Sequence, residues 1–165
     1  MKRSVQYLAH AGLIAATYVV LTVVIQPIGY GTVQFRVSEM LTILPVYMPT
    51  AIPGLTVGCF LSNLIGLASG ANPLGGWDLL IGTAATASAA WMTYAVRHVR
   101  VKGLPILATV PPVLVNALAI GTELSLVYGG LPWYWHVIGV ATGQFVACTI
   151  GGTALSAALN KVKKW

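Results

Sequence analysis

The sequence predicts an all-α integral membrane protein of six transmembrane helices. Three observations lead there. Apolar residues make up 57% of the chain and charged residues 7%, against about 25% charged in a soluble domain, and the mean hydropathy is +0.82. Eight of the nine bases fall in three short clusters, Lys2-Arg3, Arg97 to Lys102 and Lys161 to Lys164, whereas the acids Glu39, Asp78 and Glu123 lie in none of them. Long uncharged stretches separate the clusters, and at about 20 residues per crossing 165 residues hold at most six spans with short loops. No room remains for a soluble domain, so residues 1–165 read as one membrane domain.

Each element follows from its punctuation. Span one runs from about Tyr7 to Gln26 and is stopped by Pro27-Ile-Gly-Tyr-Gly31. The N-terminal Met-Lys-Arg followed by an apolar run looks superficially like a signal peptide. It lacks a clear small-residue cleavage site, so an uncleaved first span is expected. Span two is short, from about Arg36 to Met48, and Pro45, Pro49 and Pro53 turn the chain back, because three prolines at four-residue spacing cannot sit in an undisturbed helix. Span three runs from about Ala51 to Ser69 and ends on Gly70-Ala-Asn-Pro-Leu-Gly-Gly76. Span four, Trp77 to Val96, ends on the basic loop; span five is Pro105 to Tyr128; span six is Pro132 to Asn160.

Six crossings place all three basic clusters on one side, since four and then two spans separate them. Lys and Arg in short loops mark the cytoplasmic face, so both termini are expected there. The net charge of +6 does not point to nucleic acid, because the bases sit at segment ends without interleaved aromatics. Cys59 and Cys148 fall inside apolar stretches and read as small buried hydrophobes.

With that orientation the polar side chains converge on the external half. Glu123 is the leading candidate, since a carboxylate within a span costs about 2.5–3.5 kcal/mol and usually faces the bundle interior with a task. Asn116 lies seven residues earlier on the same helical face. The competing readings of Glu123 are a structural tie to Arg36 or a position high enough in the span to be solvated. Arg36 and Glu39, at i and i+3, suit a local ion pair as well as a site. Asp78 opens a helix, where a carboxylate favours the N-terminal dipole, and capping is its favoured role over a ligand contact. Asn63 and Gln144 lie in the outer halves of spans three and six. The run Trp133-Tyr134-Trp135-His136 reads as an interface belt from which one ring, Trp135, is available to stack on a planar ligand. His136 has no second His or Cys near it in sequence, so no metal site is expected.

Small residues mark helix contacts: Gly139, Gly143, Ala147 and Gly151 form a ladder on span six, and Ala11 and Ala15 have small-xxx-small spacing on span one. The ladder reads as packing within the chain; the alanine pair suits either that or a partner protein. There is no Walker A sequence and no Ser-His-Asp or zinc-protease motif, so neither an ATPase site nor another enzyme activity is expected. No two-half inverted repeat of the kind that marks many secondary transporters is evident. A small membrane protein with an outward polar pocket and no energy module reads as the binding component of something larger.

The stretches Val37-Ser-Glu-Met-Leu-Thr-Ile-Leu-Pro45 and Ala51-Ile-Pro-Gly-Leu-Thr-Val-Gly-Cys-Phe-Leu-Ser-Asn63 resemble the queuosine-precursor (QueT) family, as do Asp78-Leu-Leu-Ile-Gly-Thr-Ala-Ala-Thr and Pro111-Pro-Val-Leu-Val-Asn116 to Glu123. The likeness covers most of the chain and is specific from span two to span five. It implies the S-component fold of an energy-coupling factor (ECF) transporter, with an external pocket and partnership with a T subunit and two ATPases in a prokaryotic cytoplasmic membrane. It also implies that Ala11 and Ala15 match the element with which S components meet the T subunit. The substrate class it implies is a 7-deazaguanine, such as the 7-cyano or 7-aminomethyl base, with no cofactor. Glu39 or Asp78 would then receive an aminomethyl ammonium, and Asn63, Asn116 or Gln144 the ring's polar edge. The alternatives are an S component for another vitamin, or a small proton- or ion-coupled carrier that uses Glu123.

Overall fold

A computed structural model describes residues 2–26 and 34–162. The expected stop of the first span at residues 27–31 lies outside them, as do Lys163 and Lys164 of the C-terminal cluster. Six helical segments follow one another: helix 1 (Lys2–Val24), helix 2 (Val37–Val46), helix 3 (Ala51–Ala68), helix 4 (Gly76–Ala95), helix 5 (Ile106–Tyr128) and helix 6 (Trp133–Val162). No strand occurs among the described residues; Val101 and Leu104 form one isolated bridge in the loop before helix 5.

Four of these, helices 1, 3, 5 and 6, are long and apolar enough to cross a membrane. Helix 4 has the length, 20 residues, but its Thr, Ser and Gly content lowers its hydropathy. Helix 2 is a 3-10 helix of 10 residues with Pro45 inside it. At about 2 Å rise per residue it covers roughly 20 Å, two-thirds of a hydrocarbon core of about 30 Å.

Contacts fix the direction of every helix. Gly54 and Gly58 lie against the carbonyls of Ala11 and Ala15, so helices 1 and 3 run parallel, side by side. Tyr18 meets Glu39 and Thr22 meets Ser38, which makes helix 2 antiparallel to helix 1. Asn63 meets Asp78 while Cys59 meets Thr86, so helix 4 returns beside helix 3. Thr93 donates to the Ala108 carbonyl at 3.0 Å, closing the hairpin from helix 4 to helix 5. Gln34 abuts Gly143 and Tyr47 meets Ser156, which aligns helix 6 with helix 2. The six helices therefore alternate in direction. The start of helix 1, the Arg97 to Lys102 loop and the end of helix 6 share one end of the bundle.

Packing is inverted relative to a soluble protein. Large apolar side chains point outward, with Leu8 73% and Leu126 82% exposed, whereas Glu39, Asp78 and Glu123 are all buried. In lipid, helices gain little by hiding leucine, so small residues and polar ties hold them together. Gly54 and Gly58 show this: a Cβ at Gly58 would approach Tyr18 Cβ to 2.8 Å. The ladder on helix 6 is used in the same way, with Gly143 on the backbone of Gln34 and Gly151 and Gly152 on Met40 and Ile43 of helix 2. Helix 6 widens into a π-helical stretch at Phe145–Gly151, directly after Gln144.

Candidate functional site

Helix 2 is the spine of the site. It is buried nearly throughout, including Ser38, Glu39 and Thr42. The 3-10 twist stacks residues three apart, and extended backbone at Arg36 leads into it. Arg36 and Glu39 thereby enter the bundle interior from the end opposite the basic loop.

Arg36 Nη2 binds Asp78 Oδ2 at 2.8 Å, with side-chain exposures of 4% and 0%. The same oxygen accepts from Asn72 Nδ2 at 2.8 Å, and Asn63 Nδ2 donates to the Asp78 carbonyl at 2.8 Å. Asn72 is itself held by the Leu74 amide, which donates to its Oδ1 at 3.1 Å. Gly82, one turn beyond Asp78, makes the arrangement sterically possible, because a Cβ there would run into the Asp78 carboxylate and lie 2.9 Å from Asn63 Nδ2. Asp78 lies in the first turn of helix 4, where the N-terminal dipole favours it as expected, but it makes no capping hydrogen bond. Gly75 occupies the N-cap position of helix 4, and no side chain caps that helix. The buried guanidinium of Arg36, at the entry to helix 2, is a stronger claimant on the carboxylate than the neutral amides of a first turn. The ion pair that Arg36 makes with Asp78 spans 42 positions, unlike the local one with Glu39 that their spacing allows.

Glu39 is held by a second network. Tyr18 donates its hydroxyl to Glu39 Oε1, and Asn116 Nδ2 lies 3.3 Å from Glu39 Oε2. Asn116 also donates to Gln144 Oε1 at 3.3 Å, which accepts from the Cys148 thiol at 3.1 Å. Thr22 Oγ1 and Ser38 Oγ, 2.7 Å apart, tie helices 1 and 2 beside it. Helices 1, 2, 5 and 6 thus meet around one carboxylate.

Glu123 differs from the other two acids. It is 3% exposed, and neither carboxylate oxygen has a hydrogen-bond partner among the described residues. Buried polar atoms at the same end are also unpaired: Asp78 Oδ1, Asn63 Oδ1, Gln34 Nε2 and both ring nitrogens of His136. Each such atom costs about 1–3 kcal/mol if nothing meets it, so their grouping at one end marks a place built to receive polar atoms from elsewhere. Gly121 against Val137, with Trp133 Nε1 donating to Thr122 Oγ1 at 2.9 Å, sets the register of helices 5 and 6. That register puts His136 and Glu123 at neighbouring levels. A cavity of about 330 Å³ between helices 4 and 5 is lined by Glu123, Trp77, Ile81, Leu126 and Val127.

Of the residues the sequence singles out, the structure gathers Arg36, Glu39, Asn63, Asp78, Asn116, Glu123 and Gln144 in the buried interior of one end. Trp135 lies apart, 55% exposed, its ring 5.8 Å from that of Tyr134. Ala11 and Ala15 are buried against helix 3 within this chain, so the face they offer is covered by Gly54 and Gly58. Sequence reasoning passed over Tyr18, Gln34, Asn72 and His136. Asn72 sat in a loop read as turn chemistry and His136 in a run read as an interface belt; Tyr18 carried no signal beyond a lone hydroxyl in an apolar helix.

The QueT transporter family matches residues 8–161. The chain belongs to the QueT transporter family. The Queuosine precursor transporter QueT of Lactococcus lactis subsp. cremoris (strain MG1363) is 40% identical over 68 residues, an alignment that covers 39% of this chain and 40% of that protein. No solved structure matches the chain. With several long apolar helices, the QueT family chain is a multi-pass membrane protein.

Proposed function

We propose that this QueT family chain is the substrate-binding S component of an ECF-type importer, and that it binds a queuosine precursor at the acidic end of the bundle. One observation carries the reading: two hydrogen-bonded networks, Arg36–Asp78–Asn72 and Tyr18–Glu39–Asn116–Gln144, border a set of buried polar atoms, Asp78 Oδ1 among them, that the described residues leave unpaired. The first two are scaffold, and the unpaired set is the recognition surface. A 7-deazaguanine, whether the 7-cyano or the 7-aminomethyl base, suits it chemically. Its ring N–H and exocyclic amine are donors that unpaired acceptors such as Asp78 Oδ1 and Asn63 Oδ1 can take, a kind of base recognition worth about 1–3 kcal/mol of discrimination. Asn63 Oδ1 accepts and Gln34 Nε2 donates, so both kinds of edge atom find complements.

All six helices cross the membrane in this reading, with helix 2 reaching across by its 3-10 rise and flanking turns. The basic end faces the cytoplasm, which puts both termini inside and the acidic end outside a prokaryotic cytoplasmic membrane. Energy then comes from a T subunit and two ATPases. The relative's name as a queuosine precursor transporter supports the substrate class.

Calorimetric titration of the purified chain with the 7-cyano and 7-aminomethyl bases tests this. Dissociation constants of about 1 μM or tighter are expected, with guanine weaker. Absence of binding by either base refutes the substrate assignment, and binding of another vitamin instead would reassign the S component. Glu123 and His136, two unpaired titratable groups at neighbouring levels, favour a second reading, a proton-coupled carrier. Uptake into liposomes by this chain alone, driven by a proton gradient, selects it over the first.

A further inference from the structure

A second cavity, of about 600 Å³, opens at the other end of the bundle. His10 of helix 1, Tyr47 and Thr50 of the turn after helix 2, Arg100 of the basic loop and Asn160 of helix 6 supply its polar lining, and Val46 and Met48 an apolar wall. From this lining we propose that the cavity is a binding site for the phosphate ester of an anionic phospholipid headgroup. The assignment to lipid rests on the orientation proposed above.

The electrostatics are one-sided. The chain's three acids are all buried at the opposite end, whereas Arg97, Arg100, Lys102 and Lys161 belong to this one. Helix 3 begins at Ala51, directly after Thr50, so its partially positive N-terminus meets the cavity. Thr50 is 8% exposed and its hydroxyl makes no hydrogen bond, nor does it cap the helix. That is a buried donor in a place where the field favours an anion. The Arg100 guanidinium lies 5.6 Å from the centre of the Tyr47 ring. Tyr47 is fixed in turn, its hydroxyl 2.5 Å from Ser156 Oγ and donating to Asn160 Oδ1 at 3.3 Å. Accepting through its oxygen leaves the Asn160 amide nitrogen free to donate. Arg100, Thr50, Asn160 and His10 thus offer donors from four segments, with an apolar wall for the glycerol end of a lipid. Basic pockets between helices on the cytoplasmic side are where anionic headgroups bind. Arg97 is different: it stacks on Tyr94 at 3.9 Å and donates to that residue's carbonyl at 2.9 Å, away from the cavity.

Thermal unfolding of the full chain in a neutral detergent, titrated with phosphatidylglycerol or phosphatidylcholine, tests the proposal. Phosphatidylglycerol should raise Tm saturably and phosphatidylcholine should not. Arg100→Gln should weaken the effect about tenfold, the scale of losing a hydrogen bond to a charged group, and His10→Gln, at an exposed position safe for folding, should weaken it too. Arg97→Gln should leave it unchanged. Equal stabilisation by both lipids, equal losses in Arg97→Gln and Arg100→Gln, or no loss in His10→Gln overturns the site. Stabilisation by soluble glycerol 3-phosphate at the same concentration overturns the assignment to lipid. Titration of the same variants with a deazaguanine keeps the two ends separable: Arg100→Gln should bind the base as the parent does, and a parent that binds no base would leave the lipid result standing.

Discussion

Removing the carboxylate of Asp78 should unfold this protein more readily than any other single loss of charge. The pair it makes with Arg36 is short, 2.8 Å, and both side chains are at least 96% buried. At an effective dielectric of 20 the attraction at that distance is about 6 kcal/mol, much of it offset by desolvation of both ions. The difference matters less than the asymmetry. Asp78→Asn leaves the Arg36 charge buried without its counter-ion, which costs about 3–5 kcal/mol. In a chain of this size that corresponds to roughly 6–20 °C in Tm. Replacing both partners, Arg36→Met with Asp78→Leu, removes the charge along with its counter-ion and should recover most of the loss. Thermal melts in one detergent of the parent, Arg36→Met, Asp78→Leu and the double variant form a double-mutant cycle that measures the coupling. A cycle in which the two single losses simply add would refute the pair as a unit, and Asp78→Asn within about 1 kcal/mol of the parent would refute its burial as the source of the cost. Deazaguanine binding by the double variant then separates roles, because a purely structural pair can be exchanged without loss of affinity.

Three further outcomes follow from the same geometry. Tyr18→Phe removes the hydroxyl that Glu39 Oε1 accepts, leaving a buried carboxylate oxygen short of a donor; a loss of about 1–3 kcal/mol is expected in a chemical or thermal melt. Gly82→Ala puts a methyl where the Asp78 carboxylate lies, and strain of about 1–3 kcal/mol should appear as a lowered Tm, with no such effect at open Gly12, where substitution by Ala meets nothing within 4 Å. Trp135→Ala should leave base affinity within about threefold, since an exposed ring carries little of a buried site's binding energy, whereas His136→Ala should weaken it about tenfold or more.

The sequence disclosed the bundle because its signals are one-dimensional. Apolar run length, proline and glycine stops and the grouping of bases are all properties of neighbouring residues, and they place the six helices within a few positions. The convergence of Glu39, Asn63, Asp78, Asn116, Glu123 and Gln144 was legible too, as it needs only depth along alternating spans. Which atom meets which was not. Arg36 has acids three and 42 positions away, and the distant one forms the bridge because helices 2 and 4 pack side by side. The 3-10 form of helix 2 was equally hidden: Pro45 and its flanking prolines announced a broken helix, but not which tighter conformation the segment adopts. His136 was masked by its neighbours, for a belt of Trp133, Tyr134 and Trp135 gives no hint that the fourth residue turns inward. Ala11 and Ala15 match a partner element in spacing, but spacing alone does not say which helix they serve. Here it is helix 3.

The division of labour among the three acids leads to a last prediction, which bears on the choice between the two bases. Asp78 already has its charge met by Arg36 through Oδ2, leaving only Oδ1 open, and Glu39 has one donor on each oxygen, from Tyr18 and Asn116, so an ammonium group gains least at these two. Glu123 has both oxygens unpaired among the described residues. If the pocket takes a deazaguanine, the aminomethyl cation of the 7-aminomethyl base therefore goes to Glu123, and the cyano base, being neutral, gains nothing there beyond a donor contact. A charge-assisted hydrogen bond of this kind is worth about 1.5–3 kcal/mol, roughly a tenfold to 150-fold preference for the aminomethyl base. Glu123→Gln should erase that preference while leaving Tm unchanged or raised, because it removes a buried charge that no described residue compensates. Titrations of parent and variant with both bases measure the four affinities required. A preference that survives in Glu123→Gln would move the cation to Glu39 or Asp78, and would mean that one of the two networks opens when the ligand arrives.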